Sequence, residues 1–218
     1  QYVARYKVVN GIMKSQSGEW IYFKNGYFEK FTGIAKSIAD NNWYFVRNGV
    51  LDWNFTGVAQ SVADGNWYHC NKGKVDWGFT GISQSVANGK WYCSRKGKLD
   101  WSFTGVAKSI ANGKWYHAKN GQVDWNFTGI SRSVENGKWY FSRKGQLDWS
   151  FTGVAKSIAD GKWYYAKNGK VDWNYTGIAK SIADSKYYYV TKGKLNWNYN
   201  GYVRIGNRVR VVRKGKVL

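Results

Sequence analysis

The sequence predicts an all-β fold, a solenoid of stacked β-hairpins with a 24-residue period, on three observations. Phe31, Phe55, Phe79, Phe103, Phe127, Phe151, Tyr175 and Tyr199 stand 24 residues apart. An Asn-Gly or Asp-Gly pair flanked by alternating residues recurs within that period. Both central positions of a type I′ hairpin turn need the positive φ that Asn, Asp and Gly tolerate best. The composition, 19% aromatic with 26 Gly and no Pro, suits many short strands and turns. A disordered chain would be poor in aromatics.

Counted from those aromatics, residues 31–198 hold seven complete repeats, with a degenerate unit at 1–30 and a shortened one at 199–218. Stacked repeats need atypical end units because the terminal faces have no neighbour. No linker or composition shift interrupts the array, so one elongated domain spanning 1–218 is expected. The chain opens mid-pattern on Gln1 without a signal peptide, which reads as a mature piece or a fragment of something longer.

Within the fourth repeat, a two-residue turn at Asn112-Gly113 would pair Ala111 with Lys114, Ile110 with Trp115, Ser109 with Tyr116 and Lys108 with His117. Strand alternation then puts Val106, Lys108, Ile110, Trp115 and His117 on one face. Ala107, Ser109, Ala111, Tyr116 and Ala118 take the other. A second turn, "KNGQ", leads into Val123-Asp124-Trp125. A lone hairpin is barely stable in water, so the copies must stack, with most Trp in the core. A coil-per-turn β-helix is the alternative fold, but it does not require Asn-Gly turns. Neighbouring repeats also alternate, "GIS…SRKG…LDWS" against "GVA…AKNG…VDWN", as if a 48-residue pair had been duplicated.

The acids give no catalytic pair. Asp52, Asp76, Asp100, Asp124, Asp148 and Asp172 fill one slot, and Asp40, Asp64, Glu135, Asp160 and Asp184 sit at the hairpin turn, leaving Glu19 and Glu29. General acid–base chemistry wants a differentiated pair standing apart from the repeat. The Asp before each Trp reads instead as a turn residue bonding backbone N–H groups. The chain is therefore expected to be non-catalytic. His69, Cys93 and His117 share one slot in consecutive repeats and are zinc-ligand types. The same slot holds Phe45, Phe141, Tyr165 and Tyr189, so it reads as a packing position, and no metal or cofactor is expected. Cys70 would face away from Cys93, which argues against a disulfide.

The 34 Lys and Arg against 13 acids leave a formal charge of +21, which favours polyanionic partners. The cations recur at fixed strand and turn slots, and stacking turns each slot into a row. Lys108 shares a face with Trp115 and His117, and a Lys is almost never fully buried unpaired, so that face should be at least partly open. An aromatic platform beside a cation can seat an acidic sugar or sugar phosphate. Basic residues between aromatics can also stack single-stranded bases, but no nucleic-acid-binding motif appears. No apolar run approaches the ~20 residues of a membrane span.

At "GKWYYAKNGKVDWNYTGIA", Gly161 to Ala179, the pattern resembles the cell-wall-binding repeat superfamily of Gram-positive surface proteins. That group includes choline-binding repeats, glucan-binding repeats and the C-terminal repeats of large clostridial toxins. The shared elements are Gly-Lys-Trp-Tyr-Tyr, a Gly-containing turn and a Thr-Gly-apolar step, from about Gly11 to Leu218. The resemblance implies a hairpin solenoid with ligands held on aromatics between successive hairpins. It implies a secreted, surface-attached protein whose partner is an anionic cell-wall polymer or glycan. A host glycan or host protein is the competing partner.

The residues expected to form the site are the cations Lys108, Arg132, Lys156 and Lys180, with Trp115, Tyr116, His117, Trp139, Tyr140, Trp163, Tyr164 and Tyr165. Two departures bear on the ligand. The period is 24 where the related repeats are nearer 20, with the extra length around Val-Asp-Trp. Ile130 and Val154 stand where the family's Thr-Gly-Trp step has Trp, so a choline cage is expected to lack one wall and the positive charge to repel a cationic head group, and choline is not the expected ligand.

Retention on an immobilised anionic polymer should fall steeply as salt rises, because exposed charges are screened beyond about 8 Å at physiological ionic strength. A response flat from low to high salt would reduce the rows of Lys and Arg to a solubility device.

Overall fold

The computed structural model describes residues 8–218 and is all-β, with no helix among them. The first seven residues of the expected N-terminal unit lie outside the described residues. The chain divides into two compact units, one ending at Ser102 and one beginning at Phe103. Each is a stack of three-stranded repeats.

In the first unit the first strands are Gly11–Lys14, Gly33–Lys36, Gly57–Gln60 and Gly81–Gln84. In the second they are Gly105–Lys108, Gly129–Arg132, Gly153–Lys156, Gly177–Lys180 and Gly201–Ile205. Each pairs with a longer second strand, such as Trp115–Lys119, which pairs in turn with a short third strand, such as Gln122–Val123. The third strand also docks on the second strand of the repeat before it. Lys74 thus lies opposite Tyr44 in the first unit, and Gln146 opposite Tyr116 in the second.

The expected register at Asn112-Gly113 is corrected. Val106 pairs with His117 and Lys108 with Trp115, two residues away from the expected pairing. Residues 109–114 form a wider loop, in which Lys114 O accepts from Ser109 N at 2.8 Å and Ser109 O from Gly113 N at 2.9 Å. The side chains explain the width: Ser109 Oγ accepts from Ala111 N and Asn112 Oδ1 from Lys114 N. These local bonds satisfy the loop backbone better than a two-residue turn would. Ile110 and Ala111 leave the strand. Because the slip is even, the face assignment of Val106, Lys108, Trp115 and His117 survives it.

The type I′ geometry appears instead at the second turn, where Asn120 has φ 50° and Gly121 φ 75°. At the equivalent position of the next repeat Lys144 carries φ 48° before Gly145. Among the described residues, only the last hairpin, Gly201–Ile205 with Arg208–Arg213, has a two-residue turn closing the first pair, at Gly206-Asn207.

Packing between repeats is repeated in both units. The aromatic that marks the period stacks on the middle residue of the preceding second strand. Phe45–Phe55 and His69–Phe79 do so at 3.7 and 3.6 Å in the first unit. His117–Phe127, Phe141–Phe151 and Tyr165–Tyr175 do so at 3.6, 3.7 and 3.7 Å in the second. Valines and isoleucines of the first strands, Val58, Ile82, Val106 and Ile130 among them, are wholly buried.

The alternation of repeats has its origin here. Phe45 clusters with Ala59 and Cys70 of the next repeat, Phe141 with Ala155 and Ala166, and Tyr165 with Ala179 and Val190. Where the slot holds His69, those two positions are Ser83 and Ser94, and where it holds His117 they are Ser131 and Ser142. Nδ1 of each imidazole lies 2.9 Å from the first of these hydroxyls. Both histidines are fully buried. Their Nε2 atoms and the Ser94 and Ser142 hydroxyls have no hydrogen-bond partner among the described residues. Cys70 and Cys93 are buried free thiols, and burial pushes the Cys93 thiol up to about 12.

Burial lowers both imidazoles to about 4 from an ordinary 6.5. Between those pH values the unfolded chain binds protons that the folded one refuses. Stability from these groups is complete above pH 6.5, drains away as pH falls towards 4, and changes no further below that. Each histidine should contribute about 3 kcal/mol to this loss. Denaturant midpoints measured from pH 7 to pH 4 should show it. A variant carrying His69→Phe, Ser83→Ala, His117→Phe and Ser131→Ala should lose most of this dependence, leaving only the smaller change that begins near pH 4 as the hydrogen-bonded Asp carboxylates lose their stabilising contribution.

Candidate binding site between successive hairpins

In the six repeats whose first strands run from Gly33–Lys36 to Gly153–Lys156, the second strand opens on Trp-Tyr and the third runs into an Asp-Trp step. The Asp makes a turn, as in Asp124 Oδ1 accepting from Asn126 N at 3.0 Å, and this swings the next Trp outward. That Trp then lies edge-on over the Tyr of its own repeat. Tyr68–Trp77 and Tyr92–Trp101 do so at 5.3 and 5.5 Å in the first unit. Tyr140–Trp149 and Tyr164–Trp173 do so at 5.6 and 5.3 Å in the second. The Trp that opens the preceding second strand closes the third side.

The result is a series of aromatic triads, each shared by two repeats. Trp43, Tyr68 and Trp77 line a pocket of about 180 Å³ with Ser61, Asp64 and Val75. Smaller copies, about 40 and 80 Å³, are lined by Trp20, Tyr44 and Trp53, and by Trp67, Tyr92 and Trp101. In the second unit Trp139 lies 6.2 Å from Tyr164 and 6.5 Å from Trp173, and Trp115 lies 6.2 Å from Tyr140. Pockets for whole small molecules run to about 300–1,000 Å³, so a triad fits a head group or one face of a sugar.

The expected site residues divide between this seam and the core. Trp115, Trp139 and Trp163 are half-buried triad walls, with Trp163 against the cluster that contains Tyr188. Tyr140 and Tyr164 are triad members; Tyr116 pairs edge-on with Trp125 at 5.3 Å. Lys108, Arg132, Lys156 and Lys180 are exposed at the ends of first strands. The register sets the first three directly opposite Trp115, Trp139 and Trp163, and Lys180 opposite Tyr187. Arg132 also donates to Gly137 O at 3.0 Å.

His117 and Tyr165 are corrections, because both belong to the inter-repeat stacks and are buried. The face they share with Lys108 and Lys156 opens only at its turn end.

A further correction concerns the missing cage wall. The Trp of the Asp-Trp step, absent from the expected site, supplies it. Trp53, Trp77, Trp101, Trp149 and Trp173 are each about half-exposed, Trp149 at 54%. The signal available in the sequence was a Trp held at a fixed place immediately after a turn-forming Asp, in the segment that lengthens the period.

The turn residue beside each triad completes the chemistry. Tyr68 donates to Asp64 Oδ2 at 2.6 Å, and this bond, with help from Asn66, holds the carboxyl down at about 2. Hydrogen bonds from Asn42 and then Tyr44 hold Asp40 well below the usual carboxylate range. Tyr188 does the same for Asp184, and that bond with burial raises Tyr188 to about 12. At Asp160 burial pushes upward, but the Tyr164 hydroxyl and the Lys162 amide outweigh it. These four carboxylates are anionic at any physiological pH.

Core and site aromatics should separate on truncation. Phe141→Ala should cost about 3–5 kcal/mol of stability, whereas Trp149→Ala, which removes an exposed edge-on ring, should cost roughly 1 kcal/mol. Paired urea unfolding curves read the difference.

A family model described as a choline-binding repeat matches residues 30–52, 54–76, 150–172 and 174–196. No curated protein matches the chain. The four matched segments are those whose turn carries Asp40, Asp64, Asp160 or Asp184; between them the same position is Asn88, Asn112 and Asn136. Among the described residues no cluster of His, Cys, Asp and Glu is suited to a metal ion. The four matches to the choline-binding repeat model, and hairpins that stack through aromatic triads, are consistent with the cell-wall-binding repeat superfamily.

Proposed function

We propose that this chain is a non-catalytic attachment module of a surface protein, binding an anionic cell-surface polymer that carries choline groups. The observation that carries the reading is the aromatic triad seen three times in the first unit, as Trp43, Tyr68 and Trp77, with its copies in the second. A cation over an aromatic face gains about 0.5–2 kcal/mol. Three faces around one pocket, with a carboxylate such as Asp64 at its rim, offer a cationic head group an affinity of about millimolar.

The rows of exposed Lys and Arg suit the other half of such a polymer, its anionic backbone. Repetition raises the avidity of weak sites by roughly 10²–10⁴ when geometry lets several engage. In this reading residues 1–218 act as one repeat domain.

The test is retention on an immobilised polymer bearing phosphocholine. Free choline at a few millimolar and raised salt should each release the protein, and together release it at lower concentrations of both. Trp53→Ala combined with Trp77→Ala should weaken retention at least tenfold. Release by salt with no response to choline would leave a polyanion binder and sink the choline reading.

A further inference from the structure

The triads fall into two chemical kinds, and the difference lies in which way a single hydrogen bond points. At Asp40, Asp64, Asp160 and Asp184 the turn residue is an acceptor, and the triad Tyr donates its hydroxyl proton to it at 2.5–2.6 Å. At Asn88, Asn112 and Asn136 the turn residue is the donor, its Nδ2 reaching the Tyr92, Tyr116 and Tyr140 hydroxyl oxygens at 2.9, 2.8 and 3.0 Å. The amide orientation is fixed independently. Oδ1 of each Asn accepts the backbone N–H of Lys90, Lys114 or Lys138 at 2.9–3.0 Å, so Nδ2 must face the phenol.

Two consequences follow at the pocket. In the Asp kind the hydroxyl proton is spent inward and a full negative charge stands at the rim. In the Asn kind there is no charge, and the Tyr oxygen, already accepting, keeps its own proton to give to whatever enters. At one Asp-type triad Lys74, which the register sets opposite Tyr44, places its ammonium 5.8 Å from the centroid of that ring, whose hydroxyl is bonded to Asp40.

We infer that this one turn position sets what each triad accepts: Asp makes it a seat for an ammonium cation, and Asn a seat for an uncharged group that presents a hydrogen-bond acceptor, such as a sugar oxygen. The inference rests on the triads being the ligand seats. Repeats 150–172 and 174–196 then hold cationic head groups, while the repeat containing Asn136 holds a neutral part of the same polymer.

Two neighbouring triads in the second unit provide the test, Trp139–Tyr164–Trp173 beside Asp160 and Trp115–Tyr140–Trp149 beside Asn136. The probes are choline chloride and 3,3-dimethylbutan-1-ol, its uncharged carbon isostere. The readout is the indole N–H resonances of Trp173 and Trp149, assigned with Trp173→Phe and Trp149→Phe. Choline should shift Trp173 and not Trp149, and the alcohol should shift Trp149.

Asp160→Asn should weaken the choline response of Trp173 by roughly tenfold, the scale of one partly screened charge. Asn136→Asp should confer a choline response on Trp149. Both swaps are near-isosteric, and each places a residue that other repeats already carry at that position. Tyr140→Phe should weaken the alcohol response of Trp149 several-fold.

An unchanged Trp173 response in Asp160→Asn, or equal choline responses of both indoles in the parent, overturns the inference and leaves the triads as general choline seats. If no indole of the parent responds to choline, the triad reading falls, and the inference with it.

Discussion

Everything between repeats depends on how closely two backbones approach at the second turn. Gly145 sits where a Cβ would come within 2.6 Å of the Asp124 carbonyl oxygen and 2.9 Å of Trp125 Cα. Gly73 makes the same approach to Asp52 and Trp53 in the first unit. With glycine there, His117 N can donate to Gly145 O at 2.7 Å and Gly145 N to Phe127 O at 2.8 Å. Those bonds fix the spacing at which the Phe127 ring stacks on His117 and Trp115 comes over Tyr140. The triad is therefore a product of stacking. No hairpin holds a site alone, since one wall always comes from its neighbour.

The same dependence separates what was legible in the sequence from what was not. The period, the all-β class and the faces of Val106, Lys108, Trp115 and His117 followed from spacing and alternation, which are properties of one strand. The register at Asn112-Gly113 did not follow, because Ser109 and Asn112 bond the loop backbone and widen it to six residues. A dipeptide suited to a tight turn cannot announce that its neighbours prefer a wider one. The outward Trp residues were misjudged for a different reason. Trp149 and Phe151 are equally apolar two positions apart, yet one is half-exposed and the other buried. Only the turn made by Asp148, whose Oδ1 accepts from Ser150 N, sends them different ways.

The alternation of repeats carries a related lesson about polar groups in a core. A buried imidazole nitrogen needs a partner, and here Nδ1 finds its partner in the following repeat. His69 with Ser83 and His117 with Ser131 form a polar match, while Phe141 with Ala155 and Ala166 forms an apolar one. Adjacent repeats are thus fitted to one another in order. Exchanging two of them would set an imidazole against alanine or a phenyl ring against serine, so the pairs constrain which neighbours can stack.

The net charge of +21 opposes a cationic ligand at long range, and choline binding as proposed has to be reconciled with it at two length scales. A long-range field acts on the whole partner, and an anionic polymer that carries choline groups is still attracted overall. At the triad the field is set by what lies within a few ångströms: the Tyr68 and Trp77 rings and a carboxylate kept ionised by its own hydrogen bonds. Exposed Lys and Arg more than about 8 Å away are screened at physiological ionic strength. On the proposed reading, one chain would hold opposite charges of the same polymer on different surfaces, the backbone along its cations and the head groups between its hairpins.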